Sequence, residues 1–407
     1  MANVLLAWEL GGGIGHLTVL RPIAEHFIQA GHQVHLVSRD LAGAETVFGD
    51  LGVGFYQAPI KFDKPIAPIE EPMSYSQLLH NCGFETEREI AGRLKAWDRL
   101  FDVVNPRLVV CDHCPSTLLA ARGRDIRVAL VGTGFVNPPV GELMPSLMPW
   151  KNISPNTFRE IETETLSVTN AALKAVGKPE MERMSDLYGR ADCTLITSFK
   201  ELDHFGERQD FRYSGAWPPV GGDRPQWPNA DGVGDDEKPK RVFAYLKRSP
   251  GLTDLLTQLG KCGHSVLVYG NWTTLENRQK FDTPTMRVLE HPVDMQATAE
   301  QCDVAILNGT HGATAAMLLG GAPILQLPIY LEQRLVAGRV ARIGAGLVAD
   351  RRSVQQVMSC LDKILTEESF AASAQRFAAT YRQVDPARQS AAMLGRLDAL
   401  LSGECDA

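Results

Sequence analysis

The 407-residue sequence lacks several things that would have assigned it quickly. No apolar run approaches the ~20 residues that cross a bilayer. The start, Met-Ala-Asn-Val-Leu-Leu-Ala-Trp-Glu9, has no basic stretch ahead of an apolar one, so no signal peptide is expected and a cytoplasmic protein is. There is no excess of positive charge: 41 basic against 48 acidic residues give a net charge of -7, which speaks against nucleic acid and anionic membranes as partners. The glycines after the first apolar run do not complete G-x-G-x-x-G, because a pattern begun at Gly11 meets His16 where the third glycine should be. That demotes a dinucleotide oxidoreductase. No Asp-x-Asp pair offers carboxylates to a metal-bound diphosphate. Cys111-Asp-His-Cys114 has metal or redox spacing but no second Cys/His pair to complete a site. The eight cysteines are scattered, several in apolar strand contexts, and are expected as reduced thiols. Internal repeats and low-complexity tracts are absent as well.

What is present is alternation. Strand patterns at 4–8, 33–37, 52–56, 108–111 and 128–132 are interleaved with helical ones at 17–30, 75–104 and 116–121. Helical patterns at 158–176 and 180–188 and a strand at 194–197 follow. After a Pro-, Gly- and Asp-rich stretch the alternation resumes, with strands at 241–246, 265–269, 286–289, 304–307 and 324–327, and a helical tail over 354–401 broken near Asp385-Pro386. Such patterns imply an α/β protein with parallel, doubly wound sheets. The expected organisation is a first Rossmann-like domain over 1–216, a linker over 217–240, a second Rossmann-like domain over 241–384, and a terminal helix over 385–407 that packs back on the first domain. Two such halves would leave a cleft between them.

In the second half, the strand Val304 to Leu307 breaks into Asn308-Gly-Thr-His-Gly-Ala-Thr314 and then a helix. Backbone N–H groups and a helix N-terminus there would receive an anion. Glu332-Gln333 follows the next strand, at the edge of an open sheet where ligands gather. The segment suits a diphosphate bearing something hydroxylated. In the first half, Gly13 and Gly15 allow close backbone approach to a ligand. His16 sits at the mouth of the first strand and Asp112 ends a later one, so both project from one sheet edge. A carboxylate beside an imidazole fixes its tautomer and steadies the imidazolium formed on proton uptake. His113, next on an extended strand, is expected to face the other way.

On these residues the chain resembles GT-B glycosyltransferases: nucleotide-sugar-dependent, inverting enzymes that include macrolide and plant natural-product glucosyltransferases. The likeness runs over nearly the whole length. His16-Leu-Thr-Val19 occupies the place of the family's His-x-x-Pro base turn, and Asp112 that of its partner. The donor signature H-x-G-x-G-T-x-x-E, counted back from Gly321-Ala-Pro323, puts Asn308 where the family has His and Ala316 where it has Glu. Glu332-Gln333 matches the pair that holds sugar hydroxyls. His291-Pro-Val293 stands where relatives present an aromatic platform and a Gln for the base.

The resemblance implies an inverting hexosyltransferase using a UDP- or dTDP-sugar, with two Rossmann-like domains facing each other across a cleft. His16 would be the base and Asp112 its support. Donor contacts would come from Gly13, Gly15, Lys247, His291, Val293, Asn308, Gly309, Thr310, His311, Gly312, Ala313, Thr314, Glu332 and Gln333. No metal or other cofactor is expected. Phe135, Met144, Met148 and Trp150, in a long loop without periodicity, suggest an apolar or aromatic acceptor. Two rivals remain: a nucleotide-sugar epimerase or hydrolase of the same fold, and a catalytically silent nucleotide-sugar-binding partner protein. The oligomeric state is not legible.

Overall fold

The computed structural model describes residues 1–209, 211–216, 221–228 and 239–404. Much of the expected linker, 217–220 and 229–238, therefore lies outside the described residues. The chain divides into two compact units. The first comprises Met1–Ser198, Arg208–Gly215 and the carboxy-terminal segment from Pro386; the second comprises Phe199–Glu207 and Ala216–Asp385.

The first unit carries strands β1 (Asn3–Trp8), β2 (Gln33–Ser38), β3 (Gly54–Gln57), β4 (Leu108–Asp112), β5 (Arg127–Gly132) and β6 (Cys193–Ile196). Its helices are α1 (Gly15–Gln29), α2 (Leu41–Phe48), α3 (Tyr75–Leu79), α4 (Glu87–Val104), α5 (Pro115–Ala121), α6 (Pro155–Ala175) and the short α7 (Asp186–Gly189). The second unit carries β7 (Arg241–Tyr245), β8 (Ser265–Tyr269), β9 (Met286–Val288), β10 (Val304–Leu307), β11 (Ile324–Gln326) and β12 (Gly346–Val348). Its helices are α8 (Leu252–Leu259), α9 (Leu275–Phe281), α10 (Met295–Gln301), α11 (His311–Leu319), α12 (Leu331–Arg342), α13 (Val354–Thr366) and α14 (Glu368–Tyr381). The last helix, α15 (Pro386–Ser402), belongs to the first unit, where His26 reaches Asp398 at 2.8 Å.

Both sheets are wholly parallel and have the same topology. The orders are β3-β2-β1-β4-β5-β6 and β12-β11-β10-β7-β8-β9, so each unit reads 3-2-1-4-5-6 from its own first strand. This is the doubly wound order, and it places the switch point between β1 and β4 in one unit and between β7 and β10 in the other. Helices cover both faces, which explains strands without alternation: Val4, Leu5, Leu6 and Ala7 are all fully buried.

Local chemistry sets the helices. In α4, Ile90, Leu94, Trp97, Phe101 and Val104 recur at three- and four-residue spacing and are buried. Thr86 accepts from Glu89 N–H to start the helix, and Asn105, at φ 46°, ends it. Helix α2, absent from the sequence reading, is capped by Asp40 and buries Ala44, Val47 and Phe48. The helix expected over 180–188 shrinks to α7. Upstream of it, Asn170 pins Met181 through both its amide groups, and Asp186 accepts from the N–H groups of Glu182 and Arg183. Those bonds hold the backbone outside helical geometry.

Residues 199–207 pack with the second unit rather than with the first domain. Phe199 and Leu202 enter its core, Phe199 with its ring 4.3 Å from that of Tyr381, and Glu201 takes hydrogen bonds from Arg339 and Tyr381. The described part of the expected linker also lies on the second unit. Asp223 pairs with the backbone of Pro292 and Asp294, and Pro228 accepts from Ser265.

Candidate functional site

In the first unit the switch point is occupied by a histidine–aspartate pair. β1 ends at Trp8, a loop follows, and α1 begins at Gly15, so His16 lies in its first turn. Neighbouring β4 ends on Asp112. Nδ1 of His16 is 3.1 Å from each carboxylate oxygen of Asp112. The Asp112 side chain is 3% exposed and that of His16 19%. The imidazole stacks on Trp8 at 5.2 Å and 20° between planes. Trp8 is itself held by donating from Nε1 to the Leu10 carbonyl at 2.6 Å.

Two glycines make room for the pair. Gly11 has φ +90°, and a Cβ on it would stand 2.4 Å from His16 Nε2. Gly132, at the end of β5 with φ +126°, would place a Cβ 3.1 Å from Asp112 Oδ1. Both positions combine a left-handed backbone with a close approach, which only glycine supplies without strain.

Beneath the pair, Glu9 is buried and accepts from the N–H and hydroxyl groups of both Ser116 and Thr117. The Cys114 side chain makes no capping bond to α5, so the Glu9 carboxyl meets the N–H groups of that helix's first turn. Burial pushes the Glu9 carboxyl above its ordinary pKa, against the opposing pull of these bonds. Cys111 and Cys114 are free and buried, and Cys114 donates to the Asp112 carbonyl; burial drives its thiol far above the usual range, so it is no thiolate.

The expectation for His113 needs correction. Its backbone is left-handed, at φ +53°, not extended, so the alternation of a strand does not apply. The ring is buried, 6.3 Å from that of His16 and 6.0 Å from that of Phe135, with Nε2 3.3 Å from the Tyr75 hydroxyl. Burial, and then the charges of His16 and Arg39, push its pKa down to about 3.

Of the proposed acceptor contacts, Phe135 packs edge-on against Tyr75 at 5.7 Å, and Met144 and Met148 are buried within the unit; only Trp150 is exposed. The two methionines act as anchors of the long loop, with Met144 N–H donating to the buried Glu162. Gly13 is exposed, with φ +86° and nothing within 4 Å of a built Cβ; Gly15 is equally open.

The second unit has its own loop cluster at the β7/β10 switch point. Gly309, at φ +83°, passes so close to β11's following helix that a Cβ would be 2.6 Å from the Gln333 carbonyl oxygen. Thr310 then caps α11 with no side-chain bond, and Gly312 has nothing within 4 Å of a built Cβ, so the first turn of α11 has open space beside it. The His311 ring is buried and stacks on His204 at 5.7 Å; burial lowers its pKa to about 4, so it is neutral near pH 7. His204 Nε2 stands 3.9 Å from Glu332 Oε1. Glu332, half-exposed, is thus linked through His204 to the start of α11. Lys247 Nζ lies 5.6 Å from the centre of the exposed Tyr330 ring.

Three residues expected to hold a donor are otherwise engaged. Asn308 is buried; its Oδ1 accepts from Lys247 N–H at 2.6 Å and its Nδ2 donates to the Leu327 carbonyl at 2.8 Å. It joins three strand ends, β7, β10 and β11. Thr314 is fully buried and accepts from Gln326. Gln333 is buried and uses Oε1 to accept from Ile329 and Tyr330 N–H, capping α12. Ala313 is buried on α11, and Val293 is buried in the second core while His291 is exposed. Sequence reasoning missed Trp8, Gly132, His204 and Tyr330. The glycine that closes the apolar run at 128–132 is the sequence signal that could have suggested Gly132. Among the described residues no three His, Cys, Asp or Glu side chains form a group that could hold a metal ion, and no helix is long and apolar enough to cross a membrane.

Two doubly wound parallel domains in one chain define the GT-B fold, and solved structures of that fold match the chain end to end. The glycosyltransferase VinC, solved with dTDP, aligns with a TM-score of 0.65 at 17% identity, over 98% of this chain and 99% of that one. The spinosyn rhamnosyltransferase SpnG, solved with spinosyn aglycone, gives 0.65 at 16%, over 98% and 100%. SsfS6, a glycosyltransferase of Streptomyces sp. SF2575, gives 0.63 at 19%, over 97% and 99%. A sterol 3-beta-glucosyltransferase of Vanderwaltozyma polyspora is 33% identical over 67 residues, which is 16% of this chain and 6% of that protein. No family model matches.

Proposed function

We propose that the chain is an inverting glycosyltransferase that moves a sugar from a nucleotide-diphosphate donor, a UDP- or dTDP-sugar, to an acceptor hydroxyl. The observation that carries the proposal is the His16–Asp112 pair at the switch point of the first sheet. With Nδ1–H donated to Asp112, Nε2 is the ring nitrogen that takes the acceptor proton. The acceptor oxygen attacks the anomeric carbon as that proton moves to Nε2, the bond to the departing diphosphate breaks, and configuration inverts. Asp112 steadies the imidazolium formed.

In the second unit, the open first turn of α11 and the loop at Gly309 supply N–H groups to the diphosphate, where negative charge grows as the bond breaks. Protein dipoles take the place of a metal. Glu332 is the carboxylate assigned to sugar hydroxyls, and the amides of Asn308 and Gln333 act as scaffold. The donor nucleotides of the solved relatives support the choice of dTDP among donors: VinC was solved with dTDP and SpnG and SsfS6 with thymidine diphosphate.

The test is a panel of UDP- and dTDP-sugars titrated by calorimetry, followed by assay of free nucleotide with and without hydroxylated acceptors. Acceptor-dependent release supports transfer. Release without acceptor would instead indicate a hydrolase or epimerase, and binding without release a silent partner protein.

A further inference from the structure

A cavity lies at the opposite edge of the first sheet from His16 and Asp112, where β5 and β6 begin. It has a volume of about 340 Å³ and is walled by the end of α5, the turn 122–126, and the segment from Leu187 to Asp192. Most of its surface is polar, and Ile126 is its main apolar contribution, since Leu118 and Leu187 are almost wholly buried. Its rim holds four arginines, 122, 124, 127 and 190, against two acids, Asp125 and Asp192.

The arginines are not equivalent. Arg124 is neutralised by Asp98 and Asp102, and Arg127 by Asp192. Arg122 donates from Nε and Nη2 only to carbonyls, those of Pro179 and Glu180, which carry no formal charge. Arg190 is exposed and, among the described residues, has no ion pair. Burial and then the nearby charge of Arg190 lower the pKa of Arg122, with Asp186 opposing. Two cations that repel one another across a concave surface hold an anion better than either alone. Each guanidinium keeps N–H donors free for a planar carboxylate or a phosphate oxygen.

We propose that this cavity is a binding site for a small organic anion whose carboxylate or phosphate head sits between Arg122 and Arg190. The volume falls in the range of small-molecule sites. The site is separate from the carboxyl edge that carries His16 and Asp112, since β5 runs between the two edges.

The probe is naphthalene-2-carboxylate, titrated by calorimetry into the full chain held at saturating dTDP so that any nucleotide site is filled. The uncharged 2-naphthalenemethanol is the control. The expected result is one molar equivalent of carboxylate bound, with the alcohol at least tenfold weaker. Arg190→Glu should weaken the carboxylate at least tenfold and Arg190→Lys by less than threefold, both with unchanged melting temperature because the side chain is exposed. No carboxylate binding at millimolar concentration, equal binding of the alcohol, or an unaltered affinity in Arg190→Glu would each overturn the site. Phosphate heads are compared with naphthyl phosphate in the same format; a gain over the carboxylate identifies the preferred head group and leaves the assignment standing.

Discussion

Replacing Asp112 by Asn keeps the shape of the side chain and removes its charge. The buried carboxylate lies 3.1 Å from Nδ1 of His16 through both oxygens. Once the base has taken a proton, that contact becomes an ion pair with charge centres ~4 Å apart. At an effective dielectric of ~20 its Coulomb energy is about 4 kcal/mol. A hydrogen bond to a charged group contributes about 1.5–3 kcal/mol by mutational measure. The loss in the transition state should therefore fall at about 2–4 kcal/mol, or roughly 30- to 1000-fold in kcat. Asn can also donate to Nδ1, which would put the proton on Nε2 and disable the base. The assay is nucleotide release at saturating donor with an accepted hydroxyl compound, beside calorimetric dTDP affinity and a melting curve. The affinity should stay within about twofold of wild type. A folded Asp112→Asn protein with kcat within threefold of wild type would refute the role given to the pair.

Further outcomes follow from other contacts. His16→Ala should lower transfer by about 10²–10⁴-fold, the usual worth of a general base, while donor binding stays near normal. An alanine variant keeping most of its turnover would remove His16 from the chemistry. Gly309→Ala adds a Cβ 2.6 Å from the Gln333 carbonyl at φ +83°, and should cost about 1–3 kcal/mol in a urea unfolding experiment; an unchanged midpoint would contradict the close approach. His311 is held neutral, its pKa lowered from 6.5 to about 4. Between those values the unfolded chain binds the extra proton, so stability is full above about pH 6.5 and falls as pH drops toward 4, at up to ~1.4 kcal/mol per pH unit. His311→Asn should flatten that slope relative to wild type, and parallel stability–pH curves for the two proteins would count against the buried neutral imidazole.

The sequence carried the architecture because helix-covered parallel strands appear as short apolar runs separated by helical periods, and eleven of these runs became strands of the two sheets. It did not show β12, Gly346–Val348, an edge strand that opens on glycine and leaves Leu347 and Val348 partly exposed. Helix α2 was legible in principle, from the Asp40 cap and the spacing of Ala44, Val47 and Phe48. His16 and Asp112 could be paired beforehand because both follow strands that the doubly wound order makes neighbours. The donor side was less legible for one physical reason. A motif identifies polar side chains but not where their hydrogen bonds go. Asn308, Thr314 and Gln333 proved to hold strand ends, core and helix cap. His113 was misjudged because one left-handed residue turns its side chain out of the strand's alternation.

The stack of Trp8 on His16 gives the protein a built-in optical gauge. The indole is fixed by its own N–H and lies nearly parallel to the imidazole at 5.2 Å. Charging that imidazole brings a cation over the π cloud, so the emission of this one tryptophan should track the proton on His16. Subtracting the spectrum of a His16→Gln protein isolates the signal from the other five tryptophans. The protonation state of the pair can thus be followed by light before any substrate is known.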